Sequence, residues 1–384
     1  MIFFRPGSQL HRLITVLAVT GVFPVSSLHL FGNQRSMRDL ITRLTVEQDY
    51  RNTETGETLH CHMLTLIGKP QSRAVRFLRS GLPMLDWIGA RAFHEAVYWR
   101  FPFSGDETHI EPLYRFAEAA LMLQRAGVEI RPWKTPTLQT QLSSFHLPDE
   151  PSLYSARELK KIREGELKKI RYARLTAAVF SRFGTIPIYN TRNATMKWNG
   201  MSEFKTLESL QELTWTNTEA RTIDTAILFG KSESVAMKTI EGYKKSCRTD
   251  LRLDGVYRKL CFVPLREDGI AQLRLLLLPD RNERLRSLLF EPAQRSYGRG
   301  AFEYDAIVDD AYVFCFFDGD ITRLIRFRSA IKTECGRFEL LCFPFQVSLV
   351  RQVLGKQVDI KILEPGLILD ALGLEGGNAF EFKT

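Results

Sequence analysis

The last third of the chain alternates continuous apolar runs with amphipathic ones, and that alternation restricts the fold more than any other feature. "AYVFCFF" precedes "DITRLIRFRSAI", "FELLCFPF" precedes "VSLVRQVLG", and "VDIKIL" closes the series. "LRLLLL" before "RNERLRSLLF" reads as a further strand and helix. A strand that is apolar at every position is buried on both faces, and the helices alternating with such strands cover it. The pattern predicts a mainly parallel C-terminal sheet inside an α/β domain over residues 155–384.

With 384 residues the chain exceeds one ordinary domain, so more is to be placed ahead of that sheet. Ser8 caps a first helix running to about Val19, with Leu10, Leu13, Ile14 and Leu17 inward, and Gly21 ends it. Ser26 or Ser27 caps a short second helix to Phe31. Gly32 turns the chain, and Asn33 caps a third helix reaching about Gln48. In that third helix Met37, Leu40, Ile41 and Leu44 recur at steps of three and four, which leaves Gln34, Arg35, Arg38 and Thr42 on the opposite face. Thr55 and Gly56 then sit between two extended arms, as in a hairpin. Three helices and a hairpin predict a winged helix-turn-helix over residues 1–105. Residues 106–154 follow as a helical connector ("EPLYRFAEAALMLQRAG") and a polar loop. The fold class expected is therefore α+β / α/β.

The outer face of the second motif helix is the one that enters a DNA major groove, where arginine and glutamine suit base edges and phosphates. Gln34, Arg35, Arg38 and Thr42 are the candidate groove readers, and Arg43, Arg51 and Lys69 the candidate phosphate contacts. A formal charge of +9 favours a polyanionic partner. The densest cationic stretch runs from Arg157 to Arg182, behind a Ser155/Glu158 capping box. It suits a phosphate-tracking stripe or a solvated helix laced by pairs such as Glu164 with Lys168.

Other chemistry has thinner support. "CFFDGD" leaves Asp318 and Asp320 at the carboxyl end of a parallel strand, where ligands gather, and two carboxylates there suit Mg²⁺. Asp320 is equally an N-cap for the helix beginning at Ile321. Asp224, Glu241 and Lys244 or Lys245 are the residue types of a restriction-endonuclease-like core, but their spacing is wrong because Glu241 and Lys244 fall on a helix. "LFGKSES" lacks the earlier glycine of a phosphate loop. His60 and His62 share one side of a strand. The six cysteines contain no C-x-x-C pair, which argues against zinc, and no metal ligand set or cofactor is assigned. Arg5 and Arg12 ahead of "LITVLAVTGVFPV" imitate a signal peptide, yet the helical spacing and the missing cleavage site favour an ordinary first helix. No run of some 18 apolar residues exists, so no membrane partner is expected and the chain is read as cytoplasmic.

Three stretches together resemble the replication-relaxation proteins of plasmids and conjugative elements of Gram-positive bacteria. They are the helix-turn-helix, "HMLTLIGKP" with Leu64, Thr65 and Gly68 matching an LT-x-x-G phrase, and "LYRFAEAALMLQRAG". The string "IYNTRNATMKWNGMSEFK" (Ile188 to Lys205) is also similar to one in proteins of that kind. The resemblance implies a double-stranded DNA-binding protein acting in plasmid replication, mobilisation or its regulation, with replication or mobilisation proteins as partners. Winged-helix proteins often read paired half-sites, so a homodimer is expected. The competing readings are a metal-dependent nuclease or DNA-relaxation enzyme using Asp318 and Asp320, and a scaffold whose winged domain docks protein.

Overall fold

In a computed structural model the described residues are 1–99, 107–141, 147, 149–162, 172, 174–196, 200–243, 256–296 and 303–374. The chain forms two compact units. The first comprises residues 1–137 and 152–155, the second 138–151 and 156–384. The protein is mixed α/β, with several sheets, some of them parallel.

The first unit is built on helix α1 (Gln9–Thr20), whose N-cap Ser8 accepts a hydrogen bond from the His11 amide. Leu13, Ile14, Val16 and Leu17 of α1 are fully buried, each contributing about 1.5–3 kcal/mol by leaving water. Gly21 stops the helix with a left-handed backbone, its amide bonded to the Leu17 carbonyl. A two-residue strand, β2 (Phe23–Pro24), comes next. The short second helix expected from Ser26 or Ser27 is a 3-10 segment, Val25–Phe31, with Pro24 at its start and no side-chain cap. Ser27 is instead buried, its hydroxyl bonded to the Glu118 carboxylate at 2.5 Å. Helix α2 (Gln34–Leu44) ends four residues before the expected Gln48, because the chain straightens into β3 (Glu47–Asn52).

Strand β3 pairs antiparallel with β4 (Thr58–His62) around the expected Thr55–Gly56 tip, and parallel with an N-terminal strand, β1 (Ile2–Phe4). A separate sheet has the order β2-β6-β5, with β5 (Leu64–Ile67) and β6 (Ala74–Phe77) antiparallel to one another and β6 antiparallel to β2. Helix α3 is the single turn Arg91–His94. Helix α4 (Glu107–Arg125) lies inside this first unit, where Tyr114 packs with Val22 and Ala74 and the Arg125 guanidinium donates to the Leu30 carbonyl at 2.7 Å. Strand β7 (Ser152–Ser155) is tied to the same unit by a bond from the Leu153 amide to the Glu129 carbonyl.

The second unit opens with helix α5 (Ala156–Ile162), starting where the Ser155/Glu158 motif predicts; Arg163, Lys168, Lys169 and Arg171 of the cationic stretch lie outside the described residues. Strands β8 (Ala177–Ser181), β9 (Gly184–Asn190), β10 (Thr225–Gly230) and β11 (Lys259–Pro264) form a sheet in which β9, β10 and β11 run parallel. Helices α6 (Met201–Asn217) and α7 (Glu233–Tyr243) flank β10 in sequence. The predicted strand Leu273–Leu278 is helical as far as Leu277, within α8 (Glu267–Leu277), and Leu278 is its extended C-cap. Its leucines are buried almost all round the helix axis, so the run has no polar face to betray the helical period, and leucine favours a helix on its own account. Helix α9 (Arg281–Leu289) follows.

A second sheet has the order β12-β13-β14-β15, with β12 (Ala306–Val308) antiparallel to β13 (Ala311–Cys315) and with β13, β14 (Arg337–Cys342) and β15 (Asp359–Ile362) parallel. Helices α10 (Ile321–Thr333), α11 (Val347–Leu354) and α12 (Pro365–Ala371) alternate with the parallel strands as the sequence pattern requires. Asp309 and Asp310 both take left-handed backbone angles and form the tight turn of the β12–β13 hairpin. Among the described residues no helix is long and apolar enough to cross a membrane.

Candidate nucleic-acid interface

Helix α2 is positioned from both ends. Asn33 caps it, its carboxamide oxygen accepting from the Arg35 and Ser36 amides at 3.0 and 3.1 Å. Met37, Ile41 and Leu44 seal its inner side. The spacing that buries those three leaves Arg35, Arg38, Thr42 and Arg43 exposed, with Asp39 among them and Gln34 half-buried at the first turn. Leu40, expected inward, is also half-buried, at the margin of the apolar stripe. The Thr42 hydroxyl donates to the Arg38 carbonyl at 3.0 Å, so toward any ligand it offers acceptor lone pairs only.

Arg51 is exposed on β3, and Lys69 is exposed in the turn between β5 and β6. Among the described residues Arg35, Arg38, Arg43 and Arg51 have no carboxylate within ion-pair distance. Guanidinium groups left in water without a counter-charge retain all their donors for an incoming anion. Arg73, exposed in the same turn as Lys69, belongs with these cations and is absent from the sequence-based set. Its signal is the "GKPQSR" stretch, in which Gly68 takes a positive φ of 83°.

The hairpin has the opposite character. Glu47, Asp49, Glu54 and Glu57 stand against Arg51, a net charge of −3 over residues 47–62 with the histidines neutral. Asp49 bonds the His60 ring at 2.8 Å, and that bond raises the His60 pKa. Cys61 between the two histidines is buried, which pushes its thiol up to about 11.

The alternative site in the second unit is put together differently. Asp318 and Asp320 are both buried, in the turn between β13 and α10. One carboxylate oxygen of Asp320 caps α10, accepting from the Thr322 and Arg323 amides and the Thr322 hydroxyl at 3.0, 3.3 and 2.6 Å, and from the Leu260 amide at 3.2 Å. Its other oxygen is buried without a partner. Burial, and then the neighbouring Asp318 charge, push the Asp320 carboxyl up to about 6. Asp318 accepts from the Asp320 amide at 3.1 Å. The remaining acids near this segment in sequence are engaged elsewhere, with Asp305 held by Arg323 and Arg286 at 2.8 and 3.2 Å and Glu303 by Arg323 and Arg326 at 3.4 Å. Among the described residues no three His, Cys, Asp or Glu side chains are placed to hold a metal ion. Asp224 precedes β10 and Glu241 lies on α7, on separate elements; Lys244 and Lys245 lie outside the described residues.

No family model, no curated protein and no solved structure matches the chain.

Proposed function

We propose that the first unit is a winged helix that binds double-stranded DNA, in a protein of a mobile genetic element serving plasmid replication, mobilisation or its regulation. The observation carrying this reading is the connection of one small sheet. Its strands are β2, placed between the first helix and the 3-10 segment, and the pair β5–β6 after α2, in the order β2-β6-β5. Apart from the β3–β4 hairpin inserted after α2, helix, strand, helical turn, helix and a returning antiparallel pair follow the chain order of a winged helix, in which α2 is the groove-entering helix. Its solvent face carries Arg35, Arg38, Thr42 and Arg43.

In this reading the wing is the β5–β6 turn, residues 68–73, with Lys69 and Arg73 as its cations. The β3–β4 hairpin belongs to the other sheet, and its four carboxylates suit it poorly to phosphates. Arg51 is then a cation in an acidic setting and the weakest of the proposed contacts. The second unit is read as a binding or assembly body.

The test is fluorescence anisotropy with a labelled mixed-sequence duplex of some thirty base pairs over a salt series. Each phosphate contact contributes about 0.9 to the negative slope of log affinity against log salt. Arg35→Ala/Arg38→Ala is expected to flatten the slope by up to about 2 and to weaken binding at every salt concentration. Equal slopes and affinities for variant and parent refute the assignment. Absence of duplex affinity at low salt favours the protein-docking reading, and nicked or relaxed plasmid after incubation with Mg²⁺ favours the enzyme.

A further inference from the structure

The second unit contains a cavity of about 380 Å³ beside the amino end of β10, within the size range of small-molecule sites. Its apolar wall is made by Ile186, Leu276 and Leu277, with the half-exposed Phe183 ring at the side, and its rim carries three exposed carboxylates, Asp224, Asp280 and Glu219, the last paired with Arg182. Arg281, the first residue of α9, also lines it.

Arg281 differs from four arginines of this unit that meet carboxylates. Arg174 meets Glu203 at 2.9 Å, Arg266 meets Glu233 at 2.9 Å, and Arg286 and Arg323 share Asp305. The half-buried Arg281 has no carboxylate within ion-pair distance among the described residues. Its guanidinium bonds only neutral acceptors, the Thr225 hydroxyl at 3.2 Å and the Leu276 carbonyl at 3.4 Å, and its Nε is buried without a partner. Lys259 stands opposite Thr225 in the β10–β11 register and has no carboxylate at ion-pair distance either. Burial lowers the Lys259 pKa against the pull of the Asp318 charge, with a smaller lowering by Arg281 and a further raising by Asp320. A half-buried guanidinium that meets only neutral acceptors and leaves one N–H unpartnered is a cost that a bound anion relieves.

We propose that this cavity binds a small organic carboxylate, its charged end on Arg281 beside Thr225 and its apolar body against Leu276, Leu277 and Phe183. The exposed Asp224 and Asp280, with Glu219 neutralised by Arg182, disfavour a doubly charged oxyanion, which separates this site from one for phosphate. The site lies wholly in the second unit and stands or falls apart from DNA binding by the first.

Ligand-observed NMR and calorimetry on the full chain test it with benzoate and its neutral isostere benzamide. Benzoate is expected to bind saturably with a Kd in roughly the millimolar range, the scale that a ligand of this size reaches. Benzamide and inorganic phosphate are expected at least about tenfold weaker. Arg281→Gln should erase the preference for benzoate over benzamide, and Asp224→Asn should tighten benzoate. Absence of saturable benzoate binding, or equal binding of benzoate and benzamide by the unaltered chain, overturns the proposal without reliance on any variant.

Discussion

Asp320 makes a quantitative prediction about pH. Its carboxyl is pushed up to about 6 by burial and by Asp318, from an ordinary value of 3.8. The folded chain therefore holds this proton more tightly than the unfolded chain does. Stability from this group is fully present below the unfolded pKa and is lost as pH rises through the folded one, a window from about pH 4 to about pH 6. At 1.36 kcal/mol per pKa unit the loss is on the order of 3 kcal/mol by pH 7. Asp320→Asn isolates the charge. Asparagine caps helices as well as aspartate, and its carboxamide oxygen can keep the bonds from the Thr322, Arg323 and Leu260 amides, while the orphaned second oxygen is replaced by an uncharged NH₂. Urea unfolding followed by circular dichroism at pH 4, 6 and 8 measures the difference between variant and parent, in which the unaltered first unit cancels. The variant should match the parent or fall slightly below it at pH 4, and exceed it by about 1–3 kcal/mol at pH 8. A variant that loses more than about 1 kcal/mol at pH 8 would show that Lys259 and the helix terminus stabilise the anion, contrary to the reasoning.

Two further outcomes follow from the geometry. Gly319 has a φ of +70°, and a Cβ there would lie 2.6 Å from the Phe262 carbonyl oxygen, so Gly319→Ala should lower the thermal stability of the second unit by more than about 2 kcal/mol. Gly89, at φ 68° and ψ 21° in the left-handed helical region, has nothing within 4 Å of a Cβ, and Gly89→Ala should cost only about 1 kcal/mol by the same measurement. For the first unit, neutralising the hairpin with Glu47→Gln/Asp49→Asn/Glu54→Gln/Glu57→Gln should raise duplex affinity roughly tenfold in the anisotropy assay at low salt and lose that advantage near 1 M. An unchanged affinity at low salt would place the hairpin beyond electrostatic reach of bound DNA.

The elements legible in the sequence are those whose two faces differ. Helix α2 announces itself through Asn33, the Met37–Ile41–Leu44 stripe and the polar residues on its opposite face, and the structure ends it within a few residues of the expectation. Helix α8 shows the reverse, since leucines buried on every side read equally well as a strand. Strand β11 is fully apolar only between an opening lysine and a closing proline, residues that local patterns treat as punctuation. The main segment of the first unit runs to residue 137 and takes in α4, whose apolar face is completed by Val22 and Ala74, contacts that no local window contains. The same limit hides the cavity, because Phe183, Asp224 and Arg281 become neighbours only when β9, β10 and the α8–α9 turn converge.

The D-x-D segment shows how burial decides between two readings that share a sequence. Two acids after an apolar strand suggest a metal pair, because both stand where ligands of parallel sheets collect. Here the turn is drawn against β11 instead. The Phe262 amide donates to the Gly319 carbonyl at 2.9 Å, and Gln272 bridges the Phe262 and Asp318 carbonyls at 2.8 Å each. That docking brings the Leu260 amide onto the Asp320 oxygen that already caps α10, so donors from two elements converge on one carboxylate oxygen. Such donors satisfy the lone pairs that a cation would use, and they join the edge of one sheet to the helix that follows the central strand of the other. The residue type that chemistry would recruit for a metal serves here to fasten two sheets together, and the unpartnered second oxygen is where the cost of that fastening is concentrated.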